Sequence, residues 1–281
     1  MNIVLVYNPK SGSALGPREI RKKCQQASIG VEKIIPMRQG FNRKLRKFIE
    51  SESVIGVIGG DGTISAIAGM VTDTRAILAP LPGGTLNHFS KDLNIPQNMD
   101  EALARLSHAK VHQIDVGVVN EKVFINNSSL GLYPASLRSR EELEKNVGKW
   151  PAAVVSAMRA FFRLKTYTVT IDKNTFRTPF VFVGNNIYQF GVGGGAVRKR
   201  LDEGVLSVLI ARTQSRLTLL KIVLFTIAGR AKDLQEFDVF YPKRLTIHTK
   251  RKSLHVSHDG EVSKMESPIE YQIKKGVLRV L

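Results

Sequence analysis

Val54-Ile55-Gly56-Val57-Ile58-Gly59-Gly60-Asp61-Gly62-Thr63 is the stretch around which the chain is organised. It opens as a short apolar run rich in β-branched residues, the pattern of a buried strand. Two glycines, a carboxylate, a third glycine and a threonine end the run. Ile64-Ser65-Ala66-Ile67-Ala68-Gly69-Met70 then reads as the start of a helix. Strand, glycine turn and helix in that order are the plan of a phosphate site in an α/β sheet. Glycines let backbone approach an anion closely, and a helix N-terminus offers N–H groups without intrahelical acceptors. Asp61 falls at the carboxyl end of the strand, where open α/β sheets hold their ligands. A carboxylate facing phosphates makes sense if it holds Mg²⁺ or a Mg²⁺-bound water. On these residues alone a plainer reading stays open, a glycine turn with an acidic helix cap.

Upstream, Asn2–Tyr7 reads as a first strand, followed by the polar turn Asn8-Pro9-Lys10-Ser11-Gly12-Ser13. Lys10, Ser11 and the turn's N–H groups could hold phosphate there; an ordinary strand-to-helix turn explains the same residues. Residues 17–27 read as a helix with Pro17 in its first turn, residues 31–36 as a second strand. Phe41, Leu45, Phe48 and Ile49 form a helical stripe among Arg43, Lys44, Arg46 and Lys47.

Downstream, a short strand at 76–80 leads into Leu81-Pro82-Gly83-Gly84-Thr85-Leu86-Asn87-His88-Phe89, a second glycine turn entering a short helix. Two glycine-threonine turns after two parallel strands can line one crevice. Asn98, with Glu101 three residues on, predicts a capped helix running to about residue 109. Beyond about residue 111 strand signals dominate, at 113–119, 122–127, 166–172, 176–183, 204–211, 244–249, 254–258 and 269–273. Two domains are therefore expected: an α/β domain over 1–112 and a β-rich domain over 113–281, with the last residues free to return to the first.

Two helical stretches interrupt the second half, at 150–165 with Arg159, Arg163 and Lys165, and at 215–232 with Arg216, Lys221, Arg230 and Lys232. Both suit interfacial helices on anionic lipid, but helices packed on a sheet with snorkelling cations explain the same residues more readily. The 281 residues carry a formal charge of +18, which favours an anionic partner. The cations are spread along the chain without an aromatic-interleaved cluster, which disfavours nucleic acid. The single cysteine, Cys24, excludes an internal disulfide, so nothing points to an oxidising compartment. The N-terminus lacks the pattern of a signal peptide, and no apolar run reaches the length of a membrane span. The expected place is the cytoplasm, peripheral to the inner face of the membrane.

The order of motifs resembles the diacylglycerol kinase catalytic-domain family, which includes sphingosine and ceramide kinases and soluble bacterial lipid kinases. The residues that carry the resemblance are Asn8-Pro9-Lys10-Ser11-Gly12, Gly59-Gly60-Asp61-Gly62-Thr63 and Pro82-Gly83-Gly84-Thr85-Leu86-Asn87, then Leu201-Asp202-Glu203-Gly204-Val205-Leu206 and Asp259-Gly260-Glu261. The resemblance implies a Rossmann-like α/β nucleotide-binding domain, a C-terminal β-sandwich-like domain and an active site in the cleft between them. It implies transfer of the ATP γ-phosphate, with Mg²⁺, to the hydroxyl of a membrane lipid such as diacylglycerol, within phospholipid biosynthesis. ATP would meet Asn8, Pro9, Lys10, Ser11 and Gly12, then Gly59, Gly60, Asp61, Gly62, Thr63, Ile64 and Ser65, then Gly84, Thr85 and Asn87. Asp61 would serve the Mg²⁺–phosphate unit, and Glu261 matches the family's general base. The loop with Asp202 and Glu203 matches a structural Mg²⁺ site, completed by the carbonyls of Arg200 and Val205. A homodimer is one assembly open to the chain.

The chain departs from the family where Leu86-Asn87-His88 replaces the commoner Gly-Asn-Asp, where Ser65 stands for Asn, and where Glu203 and Ser207 stand for Asp. Two other functions compete. A NAD kinase shares Gly59–Thr63 but accounts less well for the later acidic motifs. A catalytically inert protein that binds nucleotide or anionic lipid accounts for the charge.

Overall fold

The computed structural model of the protein describes residues 2–9, 11, 15–130, 167–171, 174–190, 196–211, 237–249 and 252–281. The predicted helices at 150–165 and 215–232, with all seven of their named cations, lie outside these residues, as do Lys10 and Gly12. The chain divides into two compact units, residues 1–116 with 274–281, and residues 117–273.

The first unit carries β1 (Asn2–Tyr7), α1 (Pro17–Gln26), β2 (Gly30–Pro36), α2 (Phe41–Glu50), β3 (Val54–Gly59), α3 (Asp61–Val71), β4 (Ile77–Pro82), α4 (His88–Asp92), α5 (Met99–Leu106) and most of β5 (His112–Val119). Its strands run parallel in the order β2-β1-β3-β4. Helices must cover both faces of such a sheet, so its inner strands read as continuous apolar runs. β1, β3 and β4 are accordingly buried over all but their first residue. β2, at the edge, leaves Glu32 and Lys33 exposed, and charge on an edge strand blocks further pairing. Ile3, Leu5, Ile20, Ile58, Leu81 and Leu103 share one core with Cys24. Burial pushes the Cys24 thiol up to about 11, against a smaller opposite pull from Arg21.

The helix signals act locally. Pro17 opens α1. Asn98 Oδ1 accepts from the N–H groups of Asp100 at 2.9 Å and Glu101 at 3.3 Å, which caps α5. α5 ends at Leu106 rather than near residue 109. Ser107 Oγ donates to the Ala104 carbonyl and His108 N–H to the Arg105 carbonyl, so turn-like bonds replace the helical ladder.

The second unit is built from strands: β6 (Lys122–Phe124), β7 (Asn127–Leu130), β8 (Tyr167–Ile171), β9 (Asn174–Thr178), β10 (Val181–Asn185), β11 (Tyr188–Phe190), β12 (Ala196–Arg198), β13 (Leu206–Ala211), β14 (Phe237–Phe240), β15 (Arg244–His248), β16 (Ser253–His258), β17 (Glu261–Glu266) and β18 (Ile269–Val280). The tail of β18 from Lys274 onward belongs to the first unit, where Arg279 and Val280 pair in parallel with β4. An antiparallel sheet in the order β14-β13-β10-β7-β16-β17 faces the antiparallel set β18-β15-β8-β9. Leu130, Val183, Val208 and Val256 from the first sheet share a core with Val169, Ile247, Ile269 and Tyr271 from the second, as in a β-sandwich.

Two runs expected as single strands are each two strands. The run at 122–127 breaks at Ile125, whose N–H goes to the Asp259 carboxylate instead of a neighbouring strand. The run at 176–183 breaks at Pro179, which has no N–H to give, and Thr178 Oγ1 donates across the corner to the Phe180 carbonyl.

Candidate active site

In the first unit the two glycine turns are one object. Gly83 and Gly84, just past β4, lie against Gly59 and Gly60 at the end of β3. A Cβ on Gly84 would stand 2.4 Å from Gly60 Cα, and one on Gly83 would stand 2.6 Å from Gly59 N. No side chain fits at that approach. Asp61 fastens the pair. It is the first residue of α3, not its cap, which is Gly60. Its Oδ1 accepts from Phe89 N–H at 2.9 Å and its Oδ2 from His88 N–H at 3.1 Å. The carboxylate therefore sits at the N-terminus of α4, where a negative charge meets both N–H groups and the helix dipole.

Three further side chains complete the crossing. Asn87 has φ 51° and sends Oδ1 back to Gly84 N–H at 2.9 Å. Asn8, after β1, donates from Nδ2 to Thr63 Oγ1 at 3.2 Å. Ser11 closes its own turn by donating from N and Oγ to the Asn8 carbonyl. Asn8, Gly59, Gly60, Asp61, Thr63, Gly84 and Asn87 are thus drawn together. Ile64 and Ser65 are buried in α3, while Thr85 is exposed on the second turn. Gly62 differs from its neighbours. A Cβ there meets nothing within 4 Å, so packing does not require glycine. A glycine in a helix costs about 1 kcal/mol relative to Ala, and room at a helix N-terminus suits an anion. Beside the crossing, Pro9, Met37, Arg38, Gln39, Gly40, Phe41 and Asn42 line a depression of about 730 Å³ at the carboxyl ends of β1 and β2.

In the second unit the candidate base stands at a hairpin. Asp259 and Gly260 have φ 45° and 87°, the two positive values of a type I′ turn, for which Asp-Gly is favoured. The turn joins β16 to β17, and His258 pairs with Glu261 across it. Glu261 is exposed, and its carboxylate accepts no hydrogen bond among the described residues. Asp259 is the anchored member of the motif. Its Oδ2 accepts from Ile125 N–H at 2.7 Å, and its Oδ1 from Asn126 and Asn127 N–H at 2.8 and 3.1 Å. His258 is buried behind the turn, with Nε2 2.9 Å from Ser263 Oγ. Burial lowers its pKa, against smaller opposite pulls from Asp259 and Glu261.

The 200–205 loop is held by its own contacts. Arg200 makes a two-point ion pair with Asp202, Nε to Oδ1 at 2.9 Å and Nη2 to Oδ2 at 3.1 Å. This pairing raises the pKa of the exposed guanidinium. Glu203 Oε2 accepts from Ile187 N–H at 2.8 Å, while its own N–H reaches Asn186 Oδ1 at 2.9 Å. The Val205 carbonyl accepts from Asn186 N–H, and Gly204 has φ 71°. A hard cation wants several oxygens free at once. Here both Asp202 oxygens are engaged by Arg200, while the Glu203 carboxylate and the Val205 carbonyl each already accept one amide. Among the described residues no group of three His, Cys, Asp or Glu side chains could hold a metal.

Sequence reasoning gave no role to Asp259, Asn126, Asn186 or Arg198, all bound by several hydrogen bonds. Of these only Asp259 carried a usable signal, the Asp-Gly dipeptide between two alternating runs.

Comparison with known proteins covers both halves. Residues 2–119 match the model of the diacylglycerol kinase catalytic domain. Residues 136–281 match the YegS C-terminal NAD kinase beta sandwich-like domain. A Staphylococcus aureus (strain JH9) protein named diacylglycerol kinase is 25% identical over 273 residues, covering 92% of this chain and 85% of its own. Solved structures from Bacillus anthracis (strain Sterne) share the fold. A candidate diacylglycerol kinase is 23% identical with TM-score 0.73, and a diacylglycerol kinase is 20% identical with TM-score 0.67. Each alignment covers 99% of this chain and 96% of the other.

Proposed function

Because the chain belongs to the diacylglycerol kinase catalytic-domain family, we propose that it is an ATP-dependent lipid kinase. It moves the γ-phosphate of ATP to the hydroxyl of a membrane lipid alcohol, with diacylglycerol as the model acceptor. The observation that carries this reading is the joined pair of glycine turns, clamped by the Asp61 carboxylate and left open above Gly62. Phosphoryl transfer is mostly positioning and charge neutralisation, and a rigid turn pair with room at a helix N-terminus supplies both.

The α3 N-terminus and the Asn8 turn receive the phosphates, and the depression beside Pro9 suits the rest of the nucleotide. Each Asp61 oxygen accepts one amide and keeps a second lone pair, so the residues present fit a Mg²⁺-bound water beside ATP. Mg²⁺ would neutralise charge on the phosphate oxygens. Glu261 takes the proton of the lipid hydroxyl. The freed oxygen bonds to the γ-phosphorus, the bond to the β-phosphate oxygen breaks, and ADP leaves with the electron pair. An exposed carboxylate at a rigid turn can reach a hydroxyl brought to it.

A lipid acceptor lies at a headgroup layer. α2 presents Arg43, Lys44, Arg46 and Lys47 to solvent, opposite the buried Leu45 and Ile49, and none of the four makes an ion pair among the described residues. No described helix is long and apolar enough to cross a membrane. On this reading the α2 cations draw the protein from the cytoplasm to the inner face of an acidic membrane, peripherally, where each nearby cation contributes about 1 kcal/mol. Charge reversal at Arg43 and Lys47 is expected to weaken sedimentation with anionic vesicles at low salt.

The deciding test incubates the purified protein with ATP, Mg²⁺ and a total lipid extract, then follows ADP release and new phospholipid by mass spectrometry. ADP release that depends on lipid supports the reading; none with any lipid fraction overturns it. NADP⁺ formed from NAD⁺ in a parallel reaction would favour a NAD kinase instead.

A further inference from the structure

Arg198, the last residue of β12, is a cation only 2% exposed, and the chemistry proposed above does not use it. Enclosing such a charge costs several kcal/mol unless its donors are well matched. Two of its hydrogen bonds go to one short link and a third to the end of β10. Nη1 donates to the carbonyls of Ile125 at 2.6 Å and Asn185 at 3.2 Å, and Nη2 to Asn126 Oδ1 at 2.8 Å. The guanidinium carbon also lies 5.2 Å from the centroid of the Tyr188 ring, whose hydroxyl donates to the Asn126 carbonyl at 3.0 Å. The link between β6 and β7 is therefore gripped from its oxygen side by Arg198 and Tyr188.

Asp259 grips the same link from its N–H side, at 2.7, 2.8 and 3.1 Å. Asp259 is also the first residue of the two-residue turn that ends at Glu261. We infer that Arg198 is a positioning residue for Glu261. The guanidinium sets the 125–127 link, the link sets the Asp259 carboxylate, and the Asp259 turn sets where the Glu261 carboxylate stands. This rests on the reading of Glu261 as the base. The geometry asks for arginine, because a planar fork can serve two backbone carbonyls and a side-chain oxygen in one orientation. A lysine brings a single mobile ammonium to the same space.

The test is a set of steady-state measurements on short-chain diacylglycerol in mixed micelles, made across pH. The variants are Arg198→Lys, Tyr188→Phe, Glu261→Gln and each of the first two combined with Glu261→Gln. Arg198→Lys is expected to lower kcat roughly 10- to 100-fold while leaving KM for ATP within about twofold, since a displaced base loses proton-transfer efficiency. Tyr188→Phe is expected to do the same more weakly, and carries the experiment if Arg198→Lys does not fold. In the Glu261→Gln background both effects should vanish, because there is no base left to position. Equal losses with and without Glu261, an unchanged kcat, or a rise in KM for ATP alone would overturn the inference. Glu261→Gln at full turnover would instead remove the base reading itself, and the inference with it.

Discussion

The two units hold their motif carboxylates in opposite ways. In the first, the residue that faces the proposed nucleotide, Asp61, is itself the fastener, bonded to two amides of α4. In the second, fastening and chemistry are divided. Asp259 takes three amides, and Glu261, two residues on, is left exposed and unbonded among the described residues. A motif letter can thus mark architecture, reactivity or both. The difference predicts which substitutions separate activity from stability.

The sharpest separation belongs to Glu261. Glu261→Gln should lower turnover about 10²- to 10⁴-fold and leave the melting temperature unchanged, as read by ADP release and thermal unfolding of one preparation. An unfolding shift in this variant would break the comparison. Asp61→Ala should do both kinds of damage. A carboxylate that only faced a ligand could be removed with little cost to folding. The two amide bonds change that expectation to lost turnover plus about 1–3 kcal/mol of stability, measurable by denaturant titration.

The glycines sharpen the contrast within the first unit. Gly84→Ala drives a Cβ to 2.4 Å from Gly60 Cα and should cost about 1–3 kcal/mol through forced backbone shifts. Gly62→Ala meets open space and should be neutral or stabilising by up to about 1 kcal/mol. Its penalty should fall on KM for ATP instead. Equal stability for the two variants would sink the idea that one glycine serves packing and the other the ligand.

The smallest effect concerns His258. Its folded pKa lies below the ordinary 6.5 because burial disfavours the charged ring. The folded state therefore binds its proton less readily than the unfolded chain. The corresponding stability is complete above about pH 6.5 and is lost as pH falls through the lowered folded value. His258→Asn should flatten the decline of melting temperature between neutral and mildly acidic pH. An unchanged slope would assign that decline to other groups.

Reading from sequence worked where cause and effect lie close in the chain. The Val54–Gly59 run, the Pro17 start and the Asn98 cap act over a few residues, and the strand, turn and helix they predict are present. It failed where a side chain acts at a distance. The amides that Asp61 binds are 27 and 28 residues away, and those of Asp259 are 132 to 134 away. No periodicity records such pairings. The strand β17 was not among the expected strands, although Asp259-Gly260 between two alternating runs is a hairpin signal. Lys10 and Gly12, expected at the nucleotide, fall outside the described residues.

Cys24 turns the first unit into its own timepiece. Alkylating reagents attack thiolate, and a fully buried thiol with a pKa of about 11 offers almost none while the core is shut. The rate at which a maleimide consumes the native chain therefore counts openings of that core. Run with and without ATP, the same reaction shows whether the nucleotide slows those openings. With the native sulfur silent, a cysteine placed on the outer face of α2 would carry a fluorescent dye to one known spot.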